Sequence, residues 1–336
     1  MTAYTHSWVG ALFASAALAG CGGGGDSSTS SGGTGDPTVS QRTLAAAATA
    51  ENNAECGKVK PFYWEIGDKG ATLASASVNV PGGQVYTAAS VMSIASASKW
   101  LYSTYFVQKT AGNLTATDVK FFNFKSGYAN LTTCSASTTV GNCLDVVNDN
   151  GTTNGSFTAS AENKFDYDGG HMQKHAALNG LANMDSASLA TEIRSQLGSE
   201  IALSYGQPQL AGGVFMSASE YGKVLRKILG GALTMNSALG THAVCASADI
   251  CPTQAIRSPA PKGESWNYSI GHWVEAPAPA VSDSAFSSPG AFGFYPWIDK
   301  TKTYYGIVAR TDPAGALDSV DCGRVIRKAW VTATAQ

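Results

Sequence analysis

The chain is 336 residues long and 44% hydrophobic, enough for a real core in one large domain or two. Its 22 basic and 24 acidic residues leave a net charge of −2, so it carries no electrostatic footprint for nucleic acid.

The first feature in chain order is an apolar run from Trp8 to Ala19 that ends in Leu18-Ala19-Gly20-Cys21 and is too short to span a bilayer. Residues 1–21 resemble a secretory signal with a bacterial lipobox. That resemblance implies an exported lipoprotein, lipidated at Cys21 and facing the periplasm, or else a periplasmic or secreted protein. Met1 to Ser7 lacks the Lys or Arg usual in such a signal. Setting Cys21 aside leaves six of the seven cysteines, an even number that reads as three disulfides in an oxidising compartment. Proximity pairs Cys134 with Cys143 and Cys245 with Cys251, which leaves Cys56 to Cys322. A metal site fits less well, because Cys-x-x-Cys spacing is absent and no His cluster accompanies the thiols.

Residues 22–55 read as a tether. Up to about residue 43 they are mostly Gly, Ser and Thr with Asp26, Asp36 and Pro37, a composition that buries too little to fold. Leu44 to Glu55 is alanine-rich and suits a first helix. From Val59 the pattern changes to strands: Pro61 to Ile66 and Ala71 to Val80 flank a turn at Gly67-Asp68-Lys69-Gly70, a hairpin signal. Tyr86 to Met92 reads as a further strand.

Residues 100–240 read mostly as helix and loop. Thr115-Ala116-Thr117-Asp118 caps a short helix, and Thr132 to Ala161 is a polar loop. Ser217-Ala218-Ser219-Glu220 is a capping box before Tyr221, Val224, Leu225 and Ile228 at helical spacing. His171 and His175 are four apart, but with no Glu between them and no third ligand they read as hydrogen-bonded or solvent-facing rather than metal-binding. Strands return at Trp266 to Val274, Gly290 to Ile298 and Thr303 to Ala309, and a last helix starts near Asp318.

One short stretch carries chemistry: Ala95-Ser96-Ala97-Ser98-Lys99-Trp100. Residues three apart share a helix face, so the Ser96 hydroxyl and the Lys99 amine meet. A serine needs an adjacent base to become a nucleophile, and a buried lysine loses its proton readily enough to serve. No Gly-x-Ser-x-Gly elbow occurs anywhere in the chain, which argues against an α/β-hydrolase.

A Ser-x-x-Lys pair that follows an apolar stretch (Val78 to Val91) and opens an aromatic-rich helix resembles the serine β-lactamase and penicillin-binding-protein superfamily, closest to class C β-lactamases and family VIII carboxylesterases. Lys125-Ser126-Gly127-Tyr128 and Leu210-Ala211-Gly212-Gly213-Val214-Phe215 resemble further segments of that family. The resemblance covers most of residues 56–335. It implies an α+β fold (an α/β sandwich): an antiparallel sheet built from both chain ends and flanked by helices, with an inserted, mostly helical domain. The α/β domain would be residues 56–99 and 241–336, and the helical domain residues 100–240. By the same resemblance Tyr167 is the tyrosine of a Tyr-x-Asn motif that assists proton transfer, with Gly169 in place of the Asn. Ser288-Pro289-Gly290 stands where the family has Lys-Thr-Gly or His-x-Gly. Ser96 and Ala291 would then supply the oxyanion-hole N–H groups, and Ser288, Gly290 and Phe292 would contact substrate.

These expectations describe a serine hydrolase that forms an acyl-enzyme at Ser96 on a small ester or amide, with no cofactor and no metal. The alternatives are a β-lactamase or D,D-peptidase, and a non-catalytic binder that keeps the fold. Ser288 is neutral where the family places a cation, which turns the expectation away from β-lactams; Arg257 or Lys262 could supply charge from a loop.

Overall fold

The computed structural model describes residues 36–275, 283–313 and 315–336. The signal-like segment, Cys21 and residues 22–35 lie outside the described residues.

Helix α1 (Val39–Asn52) begins before its alanine run because Thr38 caps it: the Thr38 hydroxyl accepts from the Gln41 N–H, and the Gln41 side chain returns a bond to the Thr38 N–H. It buries Ala45, Ala46 and Ala50 and packs along the C-terminal helix. Residues 39–55 are therefore part of the folded body, which corrects the end of the expected tether. After α2 (Ala54–Gly57) come β1 (Phe62–Gly67) and β2 (Thr72–Val78), the expected hairpin. The expected strand from Tyr86 reduces to β3 (Met92–Ser93), since Val85 and Val91 are exposed and have no core to enter.

The middle of the chain supplies α3 (Ser98–Lys109), α4 (Ala116–Phe122), β4 (Phe165–Asp166), α5 (Gly170–Ala176), α6 (Ser186–Leu197), β5 (Ser204–Tyr205), β6 (Val214–Met216), α7 (Ala218–Leu229) and α8 (Met235–Ala238). Thr115 and Asp118 complete a reciprocal capping box at α4. At α7 the Ser217 side chain accepts from the Glu220 N–H, but the Glu220 carboxylate accepts instead from the Ala202 N–H and Lys223.

Then follow β7 (Val244–Cys245), β8 (Ala255–Arg257), β9 (Asn267–Tyr268), β10 (Trp273–Val274), β11 (Phe286–Ser287), β12 (Tyr295–Ile298), β13 (Tyr305–Ala309) and α9 (Ala316–Thr332). The long strand expected over Trp266 to Val274 is split by a turn at Gly271, whose φ of 68° suits glycine.

The main sheet has eight strands in the order β2-β1-β13-β12-β11-β10-β9-β7, so the two ends of the chain meet at β1 and β13. Every pair in it is antiparallel. Successive side chains alternate faces. Tyr305 turns toward α7, where Arg226 donates to its hydroxyl, and the partnered residues Tyr295 and Val308 turn toward α9, where Arg327 donates to Tyr295. Thus α7 covers one face, and α1 and α9 cover the other. Arg42 of α1 donates to the carbonyls of Trp330 and Val331, closing the last turn of α9.

All three expected disulfides are present: Cys56–Cys322, Cys134–Cys143 and Cys245–Cys251, with Cα separations of 4.5, 5.3 and 6.5 Å. His171 and His175 are buried. His171 bonds with the Ser126 hydroxyl and the Asp166 carbonyl, and His175 with the Tyr102 hydroxyl and the Asp118 carboxylate. Among the described residues no helix is long and apolar enough to cross a membrane.

Candidate active site

Ser96 lies in a 3₁₀ turn, Ala95–Ala97, that runs directly into α3. Ala95 has φ of 43°, a left-handed conformation that costs a residue with a Cβ, and such strain collects where a side chain must be aimed. The turn presents Ser96 half-buried at the N-terminal end of α3, where the helix dipole favours negative charge.

The lysine three residues on does meet the serine: Lys99 Nζ donates to Ser96 Oγ at 2.9 Å and to the Ala211 carbonyl at 2.7 Å. Lys99 is buried, and loss of water lowers its pKa to about 7, against a smaller opposing pull from the Asp168 carboxylate. Near neutral pH a large fraction of this amine is uncharged and able to take a proton.

Tyr167 follows β4 and reaches the same point from the opposite side. Its side chain lines one cavity with Ser96 and Trp273, and its ring centroid lies 4.9 Å from Lys99 Nζ. The ring stacks on Trp273 at 5.3 Å and meets Phe124 and Tyr268 edge-on. Burial pushes the Tyr167 pKa up to about 12, so the phenol keeps its proton.

The segment after β11 closes the site. Gly290 must be glycine, since a Cβ there would stand 2.2 Å from the Ile94 carbonyl oxygen. Ser288 Oγ donates to the Ser96 carbonyl at 3.1 Å. These contacts fasten the segment to the nucleophile turn, and Ala291 and Ser96 line one cavity together. Ser288 is buried and Gly290 is packed on backbone, so of the three residues expected to touch substrate only Phe292, which lines a cavity with Ser96, faces one. Pro289 lies just past β11, which is an interior strand rather than the edge that a proline would suit.

At Gly169, which stands where the resemblance implies an Asn, a Cβ would meet Leu131 Cδ2 at 2.7 Å and Ala211 Cβ at 3.0 Å, so a side chain here would press on both. Arg257 lines neither cavity that reaches Ser96: it pairs with Asp166 and Asp168 and donates to the Ala129 carbonyl.

Two cavities meet at Ser96. One, of about 490 Å³, lies on the Lys99 side and is lined by Thr133, Gln207, Gln209, Phe215 and Phe292 among others. The other, of about 220 Å³, lies on the Tyr167 side and is walled by Pro259, Trp266, Trp273, Pro289 and Leu317. Of the aromatic side chains, Trp266, Trp273 and Phe292 line these cavities, while Trp100, Tyr268, Tyr295 and Trp297 are core. Gln207 and Gln209 escaped the sequence reading, because nothing in a loop sequence marks two amides as facing a serine more than a hundred residues earlier.

No family model and no curated protein matches this chain. Solved structures do. A putative β-lactamase from Bacteroides dorei is 18% identical, with 81% of this chain and 92% of that one covered at a TM-score of 0.54. EstCE1, a hydrolase with promiscuous acyltransferase activity, is 11% identical over 87% of this chain and 98% of its own, at 0.56. A D-stereospecific amidohydrolase from Streptomyces is 11% identical over 89% and 100%, at 0.55. The resemblance at Ser-x-x-Lys thus extends to the fold, which this chain shares with these solved structures.

Proposed function

We propose that this protein is an exported serine hydrolase that acts through an acyl-enzyme at Ser96, on small esters or amides in preference to β-lactams. The observation that carries the reading is the 2.9 Å contact between Ser96 Oγ and a buried Lys99 whose pKa falls to about 7. Lys99 takes the hydroxyl proton as Oγ attacks the substrate carbonyl, and the negative charge that develops on the carbonyl oxygen is met by the N–H groups of Ser96 and Ala291. Tyr167, held in its protonated form, donates to the departing oxygen or nitrogen and is reprotonated from Lys99. Water then attacks the Ser96 ester, its proton passing to the same pair, and the serine is restored. The hydrolase, esterase and amidohydrolase titles among structures of the same fold agree with this chemistry. Three disulfides support export to an oxidising compartment, with Cys21 as the proposed lipid attachment point.

The test is labelling with a fluorophosphonate probe followed by peptide mass spectrometry. Wild type should carry one adduct on Ser96, and Ser96→Ala should lose both the adduct and aryl-ester hydrolysis while keeping its melting temperature. Equal turnover by Ser96→Ala would refute the assignment.

A further inference from the structure

The cavities on either side of Ser96 differ in kind, and the groups that line them assign each a role. A general acid must stand within hydrogen-bond reach of the atom it protonates. Tyr167, the proton donor of the proposed mechanism, lines the smaller cavity with Ala291 and not the larger one. We infer that the smaller cavity is the leaving-group pocket and that it selects neutral, apolar leaving groups of about phenyl size, while the acyl portion runs into the larger cavity beside Lys99. This inference rests on the acyl-enzyme reading above.

The pocket's chemistry sets the selectivity. Its walls are two indoles, two prolines and a leucine, and no cation lines it among the described residues. A cavity of ~150 Å³ walled by hydrocarbon accepts benzene, so about 220 Å³ holds a phenyl or branched alkyl group. A carboxylate carried into it would lose its water without gaining a charged partner.

The walls are also fixed before substrate arrives. The Trp266 indole N–H donates to the Glu264 carboxylate at 2.6 Å, and the Arg324 guanidinium, itself paired with Glu264, lies 5.1 Å from a ring of Trp266. Trp273 is held edge-on against Trp266 at 5.3 Å and face-on against Tyr167. A wall set in this way discriminates by fit rather than by remodelling. The larger cavity has the opposite character: Ser93 and Thr133 line it with Gln207 and Gln209, and since Gln207 Nε2 donates to Gln209 Oε1 at 2.8 Å, the other ends of the two amides add one donor and one acceptor.

The experiment uses phenyl acetate and 4-carboxyphenyl acetate, which share an acyl group and have leaving phenols of similar acidity. Acetylation of Ser96 and its later loss are followed separately by rapid quench and intact mass. Wild type should be acetylated at least about tenfold faster by phenyl acetate. Leu317→Asp, at a partly exposed helical position, should slow acetylation by phenyl acetate about tenfold or more and leave the decay of acetyl-Ser96 unchanged. Leu317→Ala, which keeps the wall uncharged, should slow acetylation by phenyl acetate less than Leu317→Asp does. Equal acetylation of wild type by the two esters would overturn the proposal, and so would a Leu317→Asp variant altered only in the decay of acetyl-Ser96, since the pocket would then hold the acyl group. Failure of both esters to acetylate Ser96 would remove the underlying reading instead, a result the intact mass separates from the other two.

Discussion

Lys99 has lost the water that keeps an ammonium charged, and its pKa falls from 10.5 to about 7. The rate of ester hydrolysis should therefore rise with pH through about 7 and then level. No second limb is due from Tyr167 below about 12, because the phenol holds its proton until then. Lys99→Met should lose this profile, and Lys99→Met and Tyr167→Phe should each be slower by ~10²–10⁴. An unchanged rate in Tyr167→Phe would mean that another group protonates the leaving group. The same shift links to stability. Between about 7 and 10.5 the unfolded chain binds more protons at this lysine than the folded one, so the lysine increasingly favours unfolding as pH falls across that window. The melting temperature of Lys99→Met relative to wild type should thus climb as pH is lowered from 10.5 toward 7 and flatten below it. Spacing, read with the apolar stretch before it and the aromatic-rich helix after it, made Ser96 and Lys99 legible in the sequence. The positive φ at Ala95, the downward turn of the Ser288 hydroxyl onto the Ser96 carbonyl and the pairing of Arg257 with two aspartates were not legible, because each depends on what the fold brings alongside.

Elements far apart in sequence hold the site's frame together, and the Cys56–Cys322 bond is the longest covalent tie among the described residues, joining α2 to α9 across 266 residues. On the chain-entropy account a loop of that length restricts the unfolded chain by up to about 5 kcal/mol. The double variant Cys56→Ala/Cys322→Ala should unfold at a clearly lower urea concentration. An unchanged midpoint would mean that the packing of α1 on α9, with Arg42 closing the last turn, holds the ends by itself. The same elements show what a sequence pattern carries. Apolar and aromatic runs located the strands at both ends of the chain, since those side chains have to enter a core. They overstated strand length at Tyr86 to Met92 and Trp266 to Val274, because an apolar run says nothing of where the chain must turn. Gly271 turns that second run back into a hairpin, and its far strand brings Trp273 against Tyr167.

Across the whole molecule, charge is spent inside the protein rather than offered at the site. Arg324 and Arg327 are buried against Glu264, Glu275 and Asp283, Arg257 is bound to Asp166 and Asp168, and among the described residues lining the two cavities Lys99 is the one cation. That lysine is the proposed base and works in its uncharged form. A β-lactam brings a carboxylate beside the bond that breaks, and a desolvated carboxylate needs a charge-assisted partner. Where the family resemblance would place a cation, this chain has Ser288, whose hydroxyl is directed at the Ser96 carbonyl and not at either cavity. Hydrogen bonds to charged groups contribute ~1.5–3 kcal/mol, so their loss lowers kcat/KM by about ten- to a hundredfold. Short-chain aryl esters should therefore be turned over with a kcat/KM at least about tenfold above that of a chromogenic cephalosporin, and both activities should vanish in Ser96→Ala. Parallel assays on the two proteins decide the matter. Cephalosporin turnover that exceeds ester turnover would reverse the ranking and require a cation, supplied in the bound state, that approaches the leaving-group side of Ser96.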